Sequence, residues 1–220
     1  MFQQSFQPNE QGRDFVIGDL HGMYELLFAE LDTVDFDYER DRCFSCGDLI
    51  DRGPDSEKCL SLIHEPWFYP VLGNHEEILI DVARNPLSSQ RDSWIANGGQ
   101  WHLTVSSERM LKYANDLDQQ PLLIDVKLGS GQHIALCHAE YPWAQWNPEK
   151  VQGDPELTRA LLWSRDKITR QDTSVIQGVD HIFCGHTIVD SHLTLGNTHF
   201  IDTGAFKTNC LTLFPLDNLQ

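Results

Sequence analysis

The strongest constraint in this sequence is a pattern that occurs five times: an apolar, strand-like run, a glycine or other small residue, and then a side chain suited to metal binding. The five segments are Ile17-Gly18-Asp19-Leu20-His21-Gly22, Cys46-Gly47-Asp48-Leu49-Ile50-Asp51-Arg52-Gly53, Leu72-Gly73-Asn74-His75-Glu76, Cys137-His138-Ala139 and Cys184-Gly185-His186-Thr187. A glycine lets the backbone turn sharply after the strand. Because open α/β folds place their sites where strand ends meet at one edge of a sheet, the pattern predicts that these side chains converge.

Short strand-like runs alternate with helical segments along the chain. Strands are predicted over residues 15–17, 43–46, 68–72, 122–128, 133–137, 181–184, 192–195, 199–201 and 210–214. Helices are predicted over 23–34, from Pro54 onward, and over 76–84 and 155–163, and the segment 86–120 is predicted to be mostly helical. This arrangement predicts an α/β fold of mixed α+β type, in which helices cover mixed sheets. No linker-like run interrupts the chain, so we expect residues 1–220 to form one domain.

The chain is strongly acidic, with 16 Lys and Arg residues against 33 Asp and Glu residues and a formal net charge of −17. Such a charge repels the backbone of double-stranded nucleic acid, so no such partner is expected. A phosphate-bearing ligand would need a local reversal of charge, supplied by metal ions or arginines. The sequence shows neither a signal peptide nor an apolar run near the ~18 residues of a membrane span, so we expect a cytoplasmic protein without a membrane partner.

Six cysteines are spread along the chain without the spacing of a disulfide framework. Five lie among apolar neighbours and are expected to be reduced and buried: Cys43, Cys59, Cys137, Cys184 and Cys210. Cys46 and Arg52 have the Cys-x5-Arg spacing of the cysteine-dependent tyrosine phosphatases. Asp48 and Asp51 lie within that segment, where their charges would raise the pKa of the thiol and repel phosphate, so this chemistry is rejected.

Six side chains of the repeated pattern offer only oxygen and nitrogen ligands: Asp19, His21, Asp48, Asn74, His138 and His186. Such a set suits Mn²⁺, Fe or Zn²⁺ better than a Cys-rich structural zinc site or an all-oxygen calcium loop. Six ligands are too many for one catalytic ion with open positions, whereas two ions that share a carboxylate would each keep places for water. Two ions ~3.5–4 Å apart can activate a hydroxide and clamp an in-line displacement at phosphorus.

The charges of this predicted site also fit a phosphate monoester. Asp19 and Asp48 would contribute a charge of about −2, and two divalent ions would contribute about +4. The net charge of about +2 matches the charge of the ester, which is roughly −1.5 to −2. Arg52 lies beside the cluster in the sequence, and an arginine grips phosphate oxygens in a fork better than a lysine does.

In order along the chain, the motifs Gly-Asp-x-His-Gly, Gly-Asp-x-x-Asp-Arg-Gly, Gly-Asn-His-Glu, a later single His and Gly-His-Thr resemble those of the metallophosphoesterases of the phosphoprotein phosphatase type. The sequence is most similar to the small bacterial and bacteriophage branch, which includes bacteriophage lambda protein phosphatase. Further similarity runs through residues 94–99, 137–142, 162–165 and 201–205, so it spans nearly the whole chain. The resemblance implies a four-layer sandwich of two mixed β-sheets flanked by helices.

The resemblance also implies a role for each site residue. One metal would be held by Asp19, His21 and Asp48, and the second by Asp48, Asn74, His138 and His186. Four residues would take part in catalysis: His75 as the acid that protonates the leaving group, Asp51 as the residue that orients His75, and Arg52 and Arg165 as phosphate ligands.

The reaction implied by the resemblance is hydrolysis of phosphoserine and phosphothreonine, with phosphotyrosine as a further candidate, by direct attack of a metal-bridging hydroxide. The implied cofactors are two divalent ions, with manganese first and iron or zinc as alternatives. The implied partners are phosphoprotein or phosphopeptide substrates. The sequence leaves open the native metal, the physiological substrate and the oligomeric state.

Two other functions share this pattern. A hydrolase of dinucleoside polyphosphates such as diadenosine tetraphosphate would use the same ligand set, although such relatives are usually longer chains. A catalytically silent metal-binding module would normally lack a ligand, the acid or an arginine, all of which are present here. The six remaining histidines and Asp202 are interpreted as structural, and the Trp-rich segment 143–146 is left without an assigned role.

Overall fold

The computed structural model describes residues 1–150 and 152–219. The strands are β1 (Gln3–Phe6), β2 (Asp14–Ile17), β3 (Arg42–Ser45), β4 (Phe68–Pro70), β5 (Leu123–Lys127), β6 (His133–Cys137), β7 (His181–Cys184), β8 (Leu193–Leu195), β9 (Thr198–Phe200) and β10 (Leu213–Pro215). The helices are α1 (Tyr24–Thr33), α2 (Ser56–Ser61), α3 (Asn74–Arg84), α4 (Arg91–Ala96), α5 (Ser107–Leu117), α6 (Pro155–Trp163), α7 (Asp166–Arg170) and α8 (Ala205–Thr208). Within these residues, no helix combines the length and the apolar character needed to cross a bilayer.

Two mixed sheets form the centre of the fold. The larger sheet has the strand order β1-β5-β6-β7-β9-β8, and its strands β6, β7 and β9 are parallel. The smaller sheet has the order β10-β2-β3-β4, and β2, β3 and β4 are parallel. Parallel strands present their carboxyl ends at one edge of a sheet. The five segments with the repeated pattern follow β2, β3, β4, β6 and β7, so each sheet gathers its own segments at one edge.

Alternate residues of the central strands face opposite layers, as the strand period of two requires. Val16 and Phe44 of the smaller sheet pack with Phe183 of the larger sheet in an apolar core between the sheets. Phe15, the neighbour of Val16, packs instead with Leu27 of α1 in a second core. The outer face of the larger sheet packs against α6 in a third core. The order of layers is helices, sheet, sheet and helix, which confirms the predicted fold class.

Most of the predicted helices and strands are present within a few residues of their expected bounds. The strands over 133–137 and 181–184 and the helix over 155–163 have the predicted bounds. Helix α6 has a well-defined start because the side chain of Asp154 accepts from two backbone N–H groups of the first turn, and because Pro155 suits the first helical position. The segment predicted to be mostly helical holds α4, α5 and a 3₁₀ helix.

The structure also differs from the predictions in a few places. Strand β1 and the short helices α7 and α8 were not predicted, and β1 pairs in parallel with β5 although its sequence is mostly polar. The last strand, expected over 210–214, covers Leu213–Pro215. The expectation that Cys210 is buried is wrong: helix α8 ends at the surface with Asn209 in a left-handed conformation (φ 56°), which leaves the next residue exposed. The other five cysteines are buried.

A row of three histidines lies on the larger sheet. His199 is in the middle: its Nε2 is 2.9 Å from Nδ1 of His181, and its Nδ1 is 2.9 Å from Nε2 of His192. The His199 ring also stacks on Phe183, with 4.7 Å between the ring centroids. Burial, together with the two flanking imidazoles, lowers the pKa of His199 to about 3. The folded protein therefore holds this ring neutral.

We expect this neutral ring to make the folded protein less stable in mild acid. Below the ordinary histidine pKa of 6.5 the unfolded chain gains a proton that folded His199 does not, so stability is lost as the pH falls from 6.5 towards 3. His199→Phe should remove roughly 1–2 kcal/mol of the loss in the free energy of unfolding between pH 7.5 and pH 5, and should reduce the drop in Tm by about 2–8 °C. His64→Asn, at an exposed histidine, is the control. An equal acid-induced drop in Tm with and without His199 would contradict this prediction.

Candidate metal centre

All six predicted metal ligands lie together where the edges of the two sheets meet. They follow the carboxyl ends of five strands: Asp19 and His21 after β2, Asp48 after β3, Asn74 after β4, His138 after β6 and His186 after β7. All six are buried. The backbone N–H of His186 donates to the Asp19 carboxylate at 3.0 Å, although the two residues are 167 positions apart. The fold thus brings together the side chains that the repeated pattern singles out.

Three ligand atoms form a tight group on one side of Asp48. Nε2 of His138 is 2.8 Å from Oδ1 of Asn74 and 3.1 Å from Nδ1 of His186, and these last two atoms are 3.0 Å apart. Oδ1 of Asp48 is 3.5 Å from the same Nε2 of His138. Nδ1 of His138 lies 2.8 Å from the carbonyl oxygen of Cys46 and must donate to it, so Nε2 carries a lone pair.

A second group lies on the other side of Asp48. Nε2 of His21 is 3.5 Å from Oδ2 of Asp48 and 3.9 Å from Oδ2 of Asp19. Nδ1 of His21 lies 2.8 Å from the carbonyl oxygen of Ile50, which fixes its tautomer in the same way. His75 also belongs to this group, since its Nε2 is 3.8 Å from Oδ2 of Asp48. Asp48 therefore presents one oxygen to each of two groups.

The chemistry of these atoms fits divalent cations. In the first group, lone pairs of His138 and Asn74 face one another across hydrogen-bond distance, an arrangement that a shared cation satisfies. Burial lowers the pKa of His21 and of His186 to about 3, so both imidazoles are neutral and able to act as ligands. Burial, and then the charges of Asp202 and Asp48, raise the pKa of Asp19 well above its usual range, because both disfavour the negative charge of its carboxylate. A cation would offset that charge.

The backbone at the centre is unusual because several residues with side chains adopt left-handed conformations. Among the described residues, eight that are not glycine have positive φ, and five of them belong to the predicted site. These five are His21 (45°), Asp48 (48°), Asp51 (74°), Arg52 (68°) and His186 (63°). Such conformations cost energy and persist where the surrounding structure enforces them, as at functional sites. Glycine is required at 185, where a Cβ atom would collide with the Asp19 carboxylate.

Asp51 is held by three donors next to the metal ligands. Its Oδ2 lies 2.5 Å from Nδ1 of His75 and accepts from the indole N–H of Trp94 at 2.6 Å. Its Oδ1 accepts from the indole N–H of Trp101 at 2.6 Å. Although burial lowers the pKa of His75, the charges of Asp48 and Asp51 outweigh this effect and raise it overall. The sequence alone indicates no role for Trp94 or Trp101, although Trp94 opens one of the similar segments.

Glu76 is a further residue whose role the sequence does not indicate. Its buried carboxylate accepts from the backbone N–H groups of Asp48 and Leu49 at 2.9 Å each and of Gly73 at 3.0 Å. These bonds tie the start of α3 to the loop after β3. Glu76 thereby holds Asn74 and Asp48 in their relative positions, since one belongs to each tied segment.

Both predicted phosphate-binding arginines lie at the centre. Nη1 of Arg52 is 2.5 Å from Nε2 of His21, and its Nη2 is 3.1 Å from Nε2 of His75. The guanidinium also lies 4.8 Å above the ring of Phe206, which the sequence analysis did not identify. Nη2 of Arg165 donates to the carbonyl oxygen of His186 at 3.4 Å. Positive charge therefore borders the ligand groups on two sides.

Cys46 is buried beneath the centre, and burial raises the pKa of its thiol well above the usual range. A thiol in that state does not provide a thiolate nucleophile. The structure therefore agrees with the rejection of cysteine-dependent chemistry at the Cys-x5-Arg segment.

The chain is similar to a known family and to individual proteins over most of its length. The calcineurin-like phosphoesterase family matches residues 15–190. Serine/threonine-protein phosphatase 1 of Salmonella typhimurium is 37% identical over 205 residues, which make up 90% of this chain and 89% of that protein. The symmetrical bis(5'-nucleosyl)-tetraphosphatase of Stutzerimonas stutzeri is 31% identical over 150 residues, or 67% of this chain and 51% of that protein.

Solved structures show the same fold at lower identity. The cold-active protein-tyrosine phosphatase of a Shewanella species has a TM-score of 0.59 at 15% identity, with 95% of this chain and 76% of that chain covered. At this identity the comparison concerns the arrangement of strands and helices alone.

Because Asp48 lies between the two ligand groups, we expect Asp48→Asn to weaken cation binding by both groups. The amide keeps one oxygen but loses the charge and the second acceptor, so the protein should retain less than one equivalent of Mn²⁺ after dialysis, whereas the unsubstituted protein should retain close to two. Metal content by inductively coupled plasma mass spectrometry is the measurement. Asp92→Asn, at an exposed residue of α4, is the control. Two equivalents of metal in the Asp48 variant would show that the bridging role is wrong.

Proposed function

Because the chain belongs to the calcineurin-like phosphoesterase family, we propose that it hydrolyses phosphoserine and phosphothreonine esters in proteins with the help of two divalent cations. One observation carries the proposal: the oxygens of Asp48 face two separate ligand groups, at 3.5 Å from His138 and 3.5 Å from His21. A carboxylate in that position can serve two cations. The match to a serine/threonine-protein phosphatase over nearly its whole length supports the substrate class.

The ligand groups divide into two cation sites. We assign Asp19, His21 and Asp48 to one cation and Asp48, Asn74, His138 and His186 to the other. Manganese is the proposed ion, since it accepts this mixture of carboxylate, amide and imidazole ligands, and iron or zinc are the alternatives. When bound, the cations would polarise the phosphoryl group and lower the pKa of coordinated water.

The side chains around the ligands would orient the ester and supply a proton. Arg52 reaches His21 with one guanidinium nitrogen and His75 with the other, so its fork spans the space between the ligands and the acid. Arg165 would contact the phosphate from the side of His186. His75 would donate the proton on Nε2 to the leaving oxygen, while Asp51 holds Nδ1.

The proposal extends to phosphotyrosine esters, because all the assigned contacts are with the phosphate. Phosphoproteins in the cytoplasm are the partners that we propose. Hydrolysis of diadenosine tetraphosphate is a second candidate, favoured by the identity to a tetraphosphatase. That match covers about half of the tetraphosphatase, whereas the phosphatase match covers 89% of its relative, so we rank protein phosphatase activity first.

A comparison of substrates with the Mn²⁺-loaded protein tests this ranking. We expect kcat/KM for a phosphoserine peptide to exceed that for diadenosine tetraphosphate by at least about tenfold, or ~1.4 kcal/mol of transition-state binding. Chelation with EDTA should abolish turnover, and Mn²⁺ should restore it. Faster turnover of diadenosine tetraphosphate would favour the second candidate, and no hydrolysis of any phosphate ester would overturn both.

Replacement of His75 tests its role as the acid. In His75→Asn, kcat for a phosphoserine peptide should fall by about 10²- to 10⁴-fold with metal content unchanged, because the serine alkoxide needs a proton to leave. Turnover of p-nitrophenyl phosphate should fall much less, since p-nitrophenolate is stable without protonation. Equal losses on both substrates would contradict the role of His75 as a proton donor.

Asp51, which orients His75, accepts from two indole N–H groups. Removal of one of these donors should lower kcat less than removal of His75 does. Trp101→Phe keeps the aromatic packing but removes the N–H donor to Oδ1 of Asp51, so kcat for the peptide should fall by about 5- to 20-fold with both metals retained. Trp143→Phe, at an exposed tryptophan, is the matched control. An unchanged kcat in the Trp101 variant would show that Asp51 does not need this donor.

A further inference from the structure

Glu140 is a buried carboxylate that none of the roles above uses. It lies two residues after the metal ligand His138, in the loop that follows β6, and it is 4% exposed. Charged side chains are rarely buried to this extent unless other groups satisfy them. The partners of this carboxylate therefore indicate what it does.

The partners of Glu140 lie on both sides of Arg165. Oε1 of Glu140 accepts from the hydroxyl of Ser164 and, at 3.2 Å, from the backbone N–H of Asp166. Oε2 accepts from the backbone N–H of Lys167 at 2.8 Å. The two backbone groups belong to the first turn of α7, where N–H groups have no partner within the helix. The carboxylate thus fixes the residue before Arg165 and the two residues after it.

Arg165 itself needs such support. Its side chain is exposed, and its guanidinium donates to the carbonyl oxygen of His186 at 3.4 Å, near the long limit of a hydrogen bond. A free arginine side chain loses rotamer entropy when a ligand immobilises it. A backbone held in place beneath Arg165 limits the directions that the side chain can take and so reduces this cost.

We propose that Glu140 is a positioning residue that holds Arg165 towards the phosphate. The inference rests on the proposed function, because phosphate binding by Arg165 is part of it. The loop from His138 to Glu140 then has two tasks: its first residue binds a cation, and its third holds the arginine that binds the anion. A change in this loop would affect both the cation and the arginine that contact the phosphate.

A purely structural carboxylate would have the same partners, so stability alone does not test the proposal. If Glu140 acts through Arg165, its effect on phosphate binding disappears once the arginine side chain is gone. If Glu140 only stabilises the fold, its replacement has the same effect whether or not Arg165 is present. A double-mutant cycle separates these two cases.

The experiment measures the Kd of inorganic phosphate for the Mn²⁺-loaded protein by isothermal titration calorimetry, which needs no turnover. Glu140→Gln keeps the size of the side chain but replaces one acceptor oxygen with an N–H₂ group, which cannot accept from the backbone. We expect it to raise the Kd about 5- to 10-fold with metal content unchanged. Arg165→Ala should raise the Kd at least as much, and Glu140→Gln added to it should change the Kd by less than twofold.

A second variant and a kinetic measurement guard against a folding defect. Ser164→Ala removes one donor from the other side and should raise the Kd in the same direction by a smaller factor, about 2- to 3-fold. With p-nitrophenyl phosphate, KM should rise in each variant by more than kcat falls, which a general loss of folded protein would not produce. The thermal unfolding curve of each variant gives the fraction that is folded at the temperature of the assay.

Three results would overturn the proposal. The first is an unchanged Kd in Glu140→Gln, and the second is an equal effect of this change with and without Arg165. The third is an unchanged Kd in Arg165→Ala, which would also remove Arg165 from the proposed phosphate site. A protein that binds phosphate in this way but hydrolyses no phosphate ester would instead refute the proposed function and leave the positioning role supported.

Discussion

The structure of the centre depends on one constraint: lone pairs that face one another inside a protein require a shared positive charge. His138 and Asn74 meet through two such atoms at 2.8 Å, and Asp48 adds a carboxylate to the same space. Each buried polar atom without a partner costs roughly 1–3 kcal/mol. This arrangement therefore costs free energy during folding, and cations bound there would recover that free energy as affinity.

Rigid surroundings make this unfavourable arrangement persistent. The ligands follow strands whose alternate residues are anchored in apolar layers on both sides, so the strand ends have little freedom to separate. Hydrogen bonds of residues outside the six predicted ligands also keep the centre in place. Glu76 ties two ligand segments together through their backbones, and Asp51 is fixed by two indoles on the far side of His75. These contacts also hold two of the left-handed residues of the centre, Asp48 and Asp51.

The sequence predicted that these six side chains converge because each one follows the end of a strand, and that feature is local. The same reasoning misses residues that act across the fold. Trp94 and Trp101 bind Asp51 from 43 and 50 positions away, and no local pattern links an indole to a distant carboxylate. Strand β1 is missed for a related reason: its polar residues form an edge strand only because β5 offers a parallel partner. The six assigned ligands and the roles of His75 and Arg165 stay predictions until metal and substrate are bound.

The apolar core between the two sheets has a consequence for how they are aligned. Contacts among apolar side chains have no preferred direction, so by themselves they resist sliding of one sheet over the other only through the fit of their shapes. A slide by one residue, about 3.3 Å, would separate Asn74, which follows a strand of the smaller sheet, from His138, which follows a strand of the larger sheet. Their ligand atoms now lie 2.8 Å apart. Cations held by both residues would therefore fasten the two layers in one alignment, and shear between the sheets would first have to break bonds to the cations.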